Sequence, residues 1–205
     1  MRYEEVKADL RAAYDAVADD RAAMDDTPWK RAERGRFAAL LREAGAATLL
    51  EIGAGHGVSG RAFADEGLAV TCTDLSPALV AHCRAKGLDA RVMDFARLDF
   101  PDGAFDAVFG MNCLLHVPKA DLPGVLDGVA RVLAPGGLFY WGQYGGRDSE
   151  GVWDGDAYEP KRYFSFFTDE AVERLAKAHF TLVEAAYLPI DRGIDRYQGL
   201  VLRKR

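Results

Sequence analysis

The amino-acid sequence predicts an α/β protein, a doubly wound and mostly parallel sheet with helices on both of its faces. Three observations carry that expectation. From Thr48 onward, short apolar runs of strand length alternate with helical patterns, the rhythm of βαβ units, and such units demand parallel strands. The first of those runs, Thr48-Leu49-Leu50-Glu51-Ile52, passes directly into a glycine-rich turn. The chain of 205 residues, 49% hydrophobic and 28% charged, is long enough for one core and has ordinary globular composition.

The elements follow in order. Val6, Leu10, Ala13, Tyr14 and Val17 recur at helical spacing, and Asp25-Asp26-Thr27-Pro28 supplies capping side chains before a second helix from about Trp29 to Ala44. Residues 1–46 are therefore expected to form an N-terminal helical cap. Beyond the first strand come a helix over Ser59–Glu66, a strand over Ala69–Asp74, a helix over Ser76–Lys86 and a strand over Ala90–Asp94. A strand over Phe105–Met111, a helix from Lys119 to Leu133 behind Pro118, the turn Ala134-Pro135-Gly136-Gly137 and a strand over Gly137–Gln143 make five parallel strands. Thr168, with Asp169 and Glu170, opens a helix running to about Ala178. Phe180–Leu188 and Tyr197–Arg205 read as two strands pairing antiparallel at the sheet edge. No internal repeat or low-complexity linker divides the chain, so residues 1–205 are read as a single domain.

Composition narrows the function. A formal net charge of −6 argues against a surface that neutralises nucleic-acid phosphates, so no nucleic-acid partner is expected. Cys72, Cys83 and Cys113 are odd in number, lack CxxC spacing and read as reduced core thiols. The N-terminal stretch has no apolar signal core, and no window approaches the roughly 20 apolar residues of a membrane span. A soluble, cytoplasmic protein is the expectation, and no spacing supports a metal site.

The turn Gly53-x-Gly55-x-Gly57 leaves a strand and enters a helix, letting backbone approach a ligand and presenting a helix N-terminus. The dinucleotide fingerprint GxGxxG spaces its third glycine differently. Glu51, two residues before the first glycine, is awkward beside a pyrophosphate but suits a cationic ligand. Seventeen residues past Gly57, a strand ends in Asp74, where nucleotide-binding α/β folds place an acid on ribose hydroxyls.

At these residues the sequence resembles the class I S-adenosylmethionine-dependent methyltransferases, whose first motif is E/D-x-G-x-G-x-G. Phe105–Val117 and Leu133–Trp141 resemble the family's fourth strand and the approach to its fifth. The resemblance implies a Rossmann-like seven-stranded sheet of order 3-2-1-4-5-7-6 with an antiparallel last strand. It implies S-adenosyl-L-methionine as cofactor, leaving as S-adenosyl-L-homocysteine. Glu51, Gly53, Ala54, Gly55 and Gly57 would form the first binding segment, with Met111 at the end of the fourth strand. Asp74 would take the ribose and Leu75 an apolar contact with adenine. Asp94 would accept from the exocyclic amine beside Phe95, and Tyr14 would close over the cofactor.

The acceptor side is less defined. The N/D-P-P-Y tetrapeptide of methyltransferases acting on nucleobase and amide nitrogens is missing, Met111-Asn112-Cys113-Leu114 standing there instead. An acidic chain with an aromatic lid over residues 143–167 favours a small-molecule acceptor. Tyr144, Trp153, Tyr163 and Phe166 are the candidate substrate contacts, and His116 is the candidate general base. Other readings stay open: Asp74 capping the helix near Ser76, the lid segment as an oligomer interface or core packing, and His116 shaping the pocket. A non-catalytic binding module and a nicotinamide oxidoreductase are the rival functions. The oligomeric state is not written in the sequence.

Overall fold

The computed structural model describes residues 1–190 and 196–205. Strand β1 (Thr48–Ile52) is apolar but for Thr48 and Glu51, and four of its five residues are buried, as a central strand covered on both faces requires. β2 (Ala69–Asp74) and β3 (Asp89–Val92) lie to one side, β4 (Phe105–Met111) and β5 (Leu133–Gly145) to the other. Two more short strands, β6 (Ser149–Val152) and β7 (Tyr163–Phe166), pair with each other apart from the main sheet. With β8 (Thr181–Pro189) and β9 (Arg196–Arg203) the main sheet has the order β3-β2-β1-β4-β5-β9-β8. β9 runs antiparallel to both β5 and β8. This is the seven-stranded order implied by the resemblance.

One face packs on α6 (Leu122–Val132) and α7 (Asp169–His179) through Leu126, Val129, Phe139 and Phe180. The other packs on α3 (Pro28–Glu43) and α4 (Val58–Asp65), where Phe37, Phe63, Phe109 and Tyr140 form a cluster of rings. α5 (Pro77–Ala85) covers β2 and β3 through Val80 and Cys83. The N-terminal segment is α1 (Tyr3–Ala16) and a short α2 (Ala18–Ala22), breaking at Val17. No helix among the described residues is long and apolar enough to cross a membrane.

Local signals mostly translate directly. Thr168 accepts from Ala171 N at 3.2 Å and so caps α7, and Ser76 does the same for α5. Three do not. The Thr27 side chain makes no cap bond to α3, because neighbouring Asp26 is drawn to Arg34 instead. Ala134–Gly137 is not a turn ahead of a strand but a bulge inside β5: Phe105 pairs with Leu133 and Ala107 with Leu138, so the extra residues loop out, Gly136 taking φ 74°. Residues 143–167 are not wholly irregular, since they contain the end of β5 and the β6–β7 pair.

Phe37 is fully buried among Phe63, Phe109 and Tyr140 and joins α3 to the sheet. Phe37→Ala is expected to cost about 3 to 5 kcal/mol of stability by leaving a cavity there, measurable by urea unfolding.

Candidate functional site

A cavity of about 790 Å³ opens beyond the carboxyl ends of β1, β2 and β4, roofed by the N-terminal helices and by residues 153–164. Its floor is the glycine turn. Gly53, Gly55 and Gly57 all take positive φ, at 61°, 57° and 83°. A side chain at Gly53 would run into Cys113, and one at Gly57 into Cys83 and Leu88. Gly53, Ala54 and Gly55 line the cavity, whereas Gly57 lies beneath it as the N-cap of α4.

Asp74 holds this turn in place. Its Oδ2 accepts from Gly55 N at 2.8 Å and its Oδ1 from Ser76 N at 2.9 Å, while the residue also lines the cavity. Burial raises its pKa to about 6, against the pull of those two amides. Glu51 sits beneath the same turn, 4% exposed, with the Cys72 thiol donating to Oε2 at 3.5 Å. Burial pushes its pKa up to about 8, so it is largely protonated at neutral pH.

At the end of β3 the expected pair divides. Phe95 and Leu75 line the cavity, and Tyr3 stacks on Phe95 at 5.5 Å. Asp94 does not: α1 brings Lys7 Nζ to 3.2 Å from its Oδ2, and Ala96 N donates to Oδ1. That carboxylate thus already has a cation, Lys7, beside it.

The opposite end is a bonded network. His116, 3% exposed, sits against Tyr163 O at 2.7 Å through Nδ1. A carbonyl only accepts, so Nδ1 carries the proton and Nε2 accepts from the Tyr14 hydroxyl at 2.8 Å. Arg162 donates to that hydroxyl at 2.9 Å and is gripped by the buried Asp156 at 2.7 and 2.8 Å. Burial drives the His116 pKa down to about 3. The nitrogens of the sequence-nominated base are thus both engaged, and the imidazole is neutral.

Residues 49–137 match the family described as a methyltransferase domain. Over that stretch, somewhat under half of its length, the chain is similar to the methyltransferase-domain family. Demethylmenaquinone methyltransferase of Tropheryma whipplei is 35% identical over 129 residues, 61% of this chain and 52% of that protein. Ubiquinone biosynthesis O-methyltransferase of Xanthomonas oryzae pv. oryzae is 37% identical over 101 residues, 46% of this chain and 41% of that protein. The chain spans about half the length of the curated relatives it matches. Its fold is shared with 1,6-didemethyltoxoflavin-N1-methyltransferase of Burkholderia thailandensis, solved with 1,6-didemethyltoxoflavin and S-adenosylhomocysteine. That likeness has a TM-score of 0.73 at 24% identity, covering 95% of this chain and 87% of the other.

Met111 and Tyr14 line the cavity, as do His116, Tyr144 and Trp153. Tyr163 and Phe166 do not. β7 alternates its faces, so Tyr163 turns into the main core with its hydroxyl on Glu150, and Phe164 takes the cavity position. Phe166 stacks behind Phe164 at 5.7 Å. Trp29, Arg21, Arg34 and Arg162 also line the cavity and escaped the sequence reading. The signal available was Trp29 directly behind a helix-opening proline; the arginines read as ordinary helix or loop charges.

Because the folded His116 has its pKa near 3 instead of 6.5, the folded state binds less proton there than the unfolded chain, and stability rises with pH across that window. His116→Gln is expected to flatten this part of the stability profile, shown by urea unfolding at pH 4.5 and 7. An unaltered slope would mean that His116 titrates normally.

Proposed function

We propose that this chain transfers a methyl group from S-adenosyl-L-methionine to a small-molecule acceptor. The observation that carries the reading is the buried Glu51 carboxyl beneath a glycine turn locked by Asp74, an acid where a cationic ligand and not a pyrophosphate is served. The residues fit the group: the turn at Gly53–Gly55 exposes backbone to the cavity, and Leu75 and Phe95 offer apolar walls. Glu51 and the turn would hold its charged end and Asp74 its ribose. When bound, S-adenosyl-L-methionine supplies an electrophilic methyl on sulfur and leaves as S-adenosyl-L-homocysteine. The quinone and toxoflavin-precursor methyltransferases it resembles support a small acceptor.

The protein's own work in such a displacement is positioning and exclusion of water. We assign His116 to positioning: it holds the Tyr14 hydroxyl over the cavity in place of taking a proton, since Nε2 is already occupied by that hydroxyl. Residues 153–164 and the N-terminal helices close together through Arg162 to Tyr14 and Arg21 to Tyr158, at 2.9 and 2.8 Å, and act as the lid.

Calorimetry with S-adenosyl-L-methionine tests the reading, and absence of both heat and thermal shift refutes it. If the cation binds the ionised form of Glu51, with its pKa about 8, affinity rises about tenfold from pH 7 to pH 9 with proton release at pH 7. Glu51→Gln abolishes that dependence. His116→Gln, which retains an acceptor for Tyr14, is expected to keep more turnover than His116→Leu, with no new limb in the pH profile; equal loss in both variants would return His116 to proton transfer.

A further inference from the structure

Beyond the glycine turn the cavity is walled by rings. Trp29 packs near Tyr144, centroids 6.4 Å apart, and Trp153 meets Phe164 edge-on at 5.7 Å. Leu115 and Phe166 pack with Tyr144 and Phe164 in one cluster, which links the two ring pairs. Flat aromatic surfaces offer stacking and edge contacts that a planar ligand uses and a branched aliphatic one does not.

Two arginines, Arg21 and Arg162, stand beside these walls. Arg162 is balanced by Asp156 and lies 3.6 Å from the Tyr158 ring centroid, 5.1 Å from that of Phe164 and 5.2 Å from that of Tyr14. Arg21 is not balanced: it donates to the neutral Tyr158 hydroxyl and stands 5.1 Å from the Tyr14 centroid. Among the described residues it has no carboxylate partner, and its Nε is buried without a bond. Aromatic surroundings of this kind can also hold an ammonium ion, but here the rings of Tyr14, Tyr158 and Phe164 already face guanidinium groups. A cationic acceptor meets like charge, and an anionic one meets an uncompensated Arg.

We propose that the methyl acceptor is a planar aromatic compound with an acidic hydroxyl, bound as its oxyanion between the Trp29–Tyr144 and Trp153–Phe164 walls with the oxygen held by Arg21. This rests on the methyltransferase reading above and narrows it to one acceptor class. The acceptor's proton is lost to solvent before binding, so no protein base is needed, in keeping with the two occupied nitrogens of His116. Arg–oxyanion contact supplies a charge-assisted hydrogen bond, and the rings exclude water around it.

The test uses protein saturated with S-adenosyl-L-homocysteine, whose own binding is measured first by calorimetry. Two naphthols of similar size, one made acidic by an electron-withdrawing substituent, and an aliphatic amine are then titrated at pH 7. The acidic naphthol is expected to bind at least about tenfold tighter than its weakly acidic partner, the difference an added charged hydrogen bond gives. Its affinity is expected to follow its own ionisation as pH changes, and the amine to give no heat. Arg21→Met should erase the preference between the two naphthols, with Arg21→Lys keeping part of it. The proposal is overturned if the amine binds better, if the naphthols bind equally, or if Arg21→Met leaves the preference between the naphthols unchanged. Failure of S-adenosyl-L-homocysteine itself to bind would strike the methyltransferase reading, and this proposal with it.

Discussion

The site depends on one carboxylate. Asp74 ends β2, and its two oxygens take the amide of Gly55, from the turn after β1, and that of Ser76, which caps α5. Two neighbouring strand ends and the helix that follows the second of them are thereby fixed to a single side chain. Each bond is of the charge-assisted kind, the stronger class of protein hydrogen bond. The two sequence readings of Asp74, ligand to a ribose and cap to a helix, do not compete: the amides occupy one lone pair on each oxygen and the residue still borders the cavity. Without that anchor the three positive-φ glycines would leave a turn with little to hold its shape.

Around this rigid floor the other half of the cavity is built from charges that the interior must compensate. Asp156 is almost wholly buried, its side chain 1% exposed, and Arg162 little more accessible. Burial alone would raise the carboxyl pKa and lower the guanidinium's, but their paired bonds reverse both shifts. Such a pair adds little net stability, since desolvation consumes most of the Coulombic gain; what it provides is geometry. Arg162 is thereby fixed against Tyr14, and Tyr14 against His116. The segment carrying Arg162 and the helix carrying Tyr14 are separate in sequence, so their bond makes the closed roof a tertiary product, assembled only once both have packed.

How much of this was legible follows from sequence distance. The β1–turn–α4 unit declares itself because strand, glycines and helix lie within a few residues, and the parallel strands follow from the same rhythm repeated, their order being what the family resemblance implied. The Thr168 cap and the β8–β9 edge are likewise local. Lys7 on Asp94 joins residues 87 apart, Arg21 on Tyr158 137 apart and Arg162 on Tyr14 148 apart. No short-range pattern announces such pairs. β7, Tyr-Phe-Ser-Phe, failed for another reason: its four residues are all buried, so hydrophobic alternation could not tell Tyr163 from Phe164. The Ala134–Gly137 stretch carried a true turn signal, but β5 absorbs it as a bulge because pairing resumes on the same partner strand.

That division matches the division of labour in the cavity. The floor recognises through main chain and a few residues fixed by strand ends, a solution the parallel sheet offers at its carboxyl edge and one short motif can encode. The roof and far wall recognise through side chains drawn from α1, α2, α3, β5 and the β6–β7 connection, which the fold brings together but does not dictate. Substituting among Trp29, Tyr144, Trp153 and Phe164 alters the wall while leaving Gly53, Gly55 and Asp74 untouched. The rings and arginines of that wall are therefore particular to this chain, whereas the floor rests on one short motif at the carboxyl edge of the sheet.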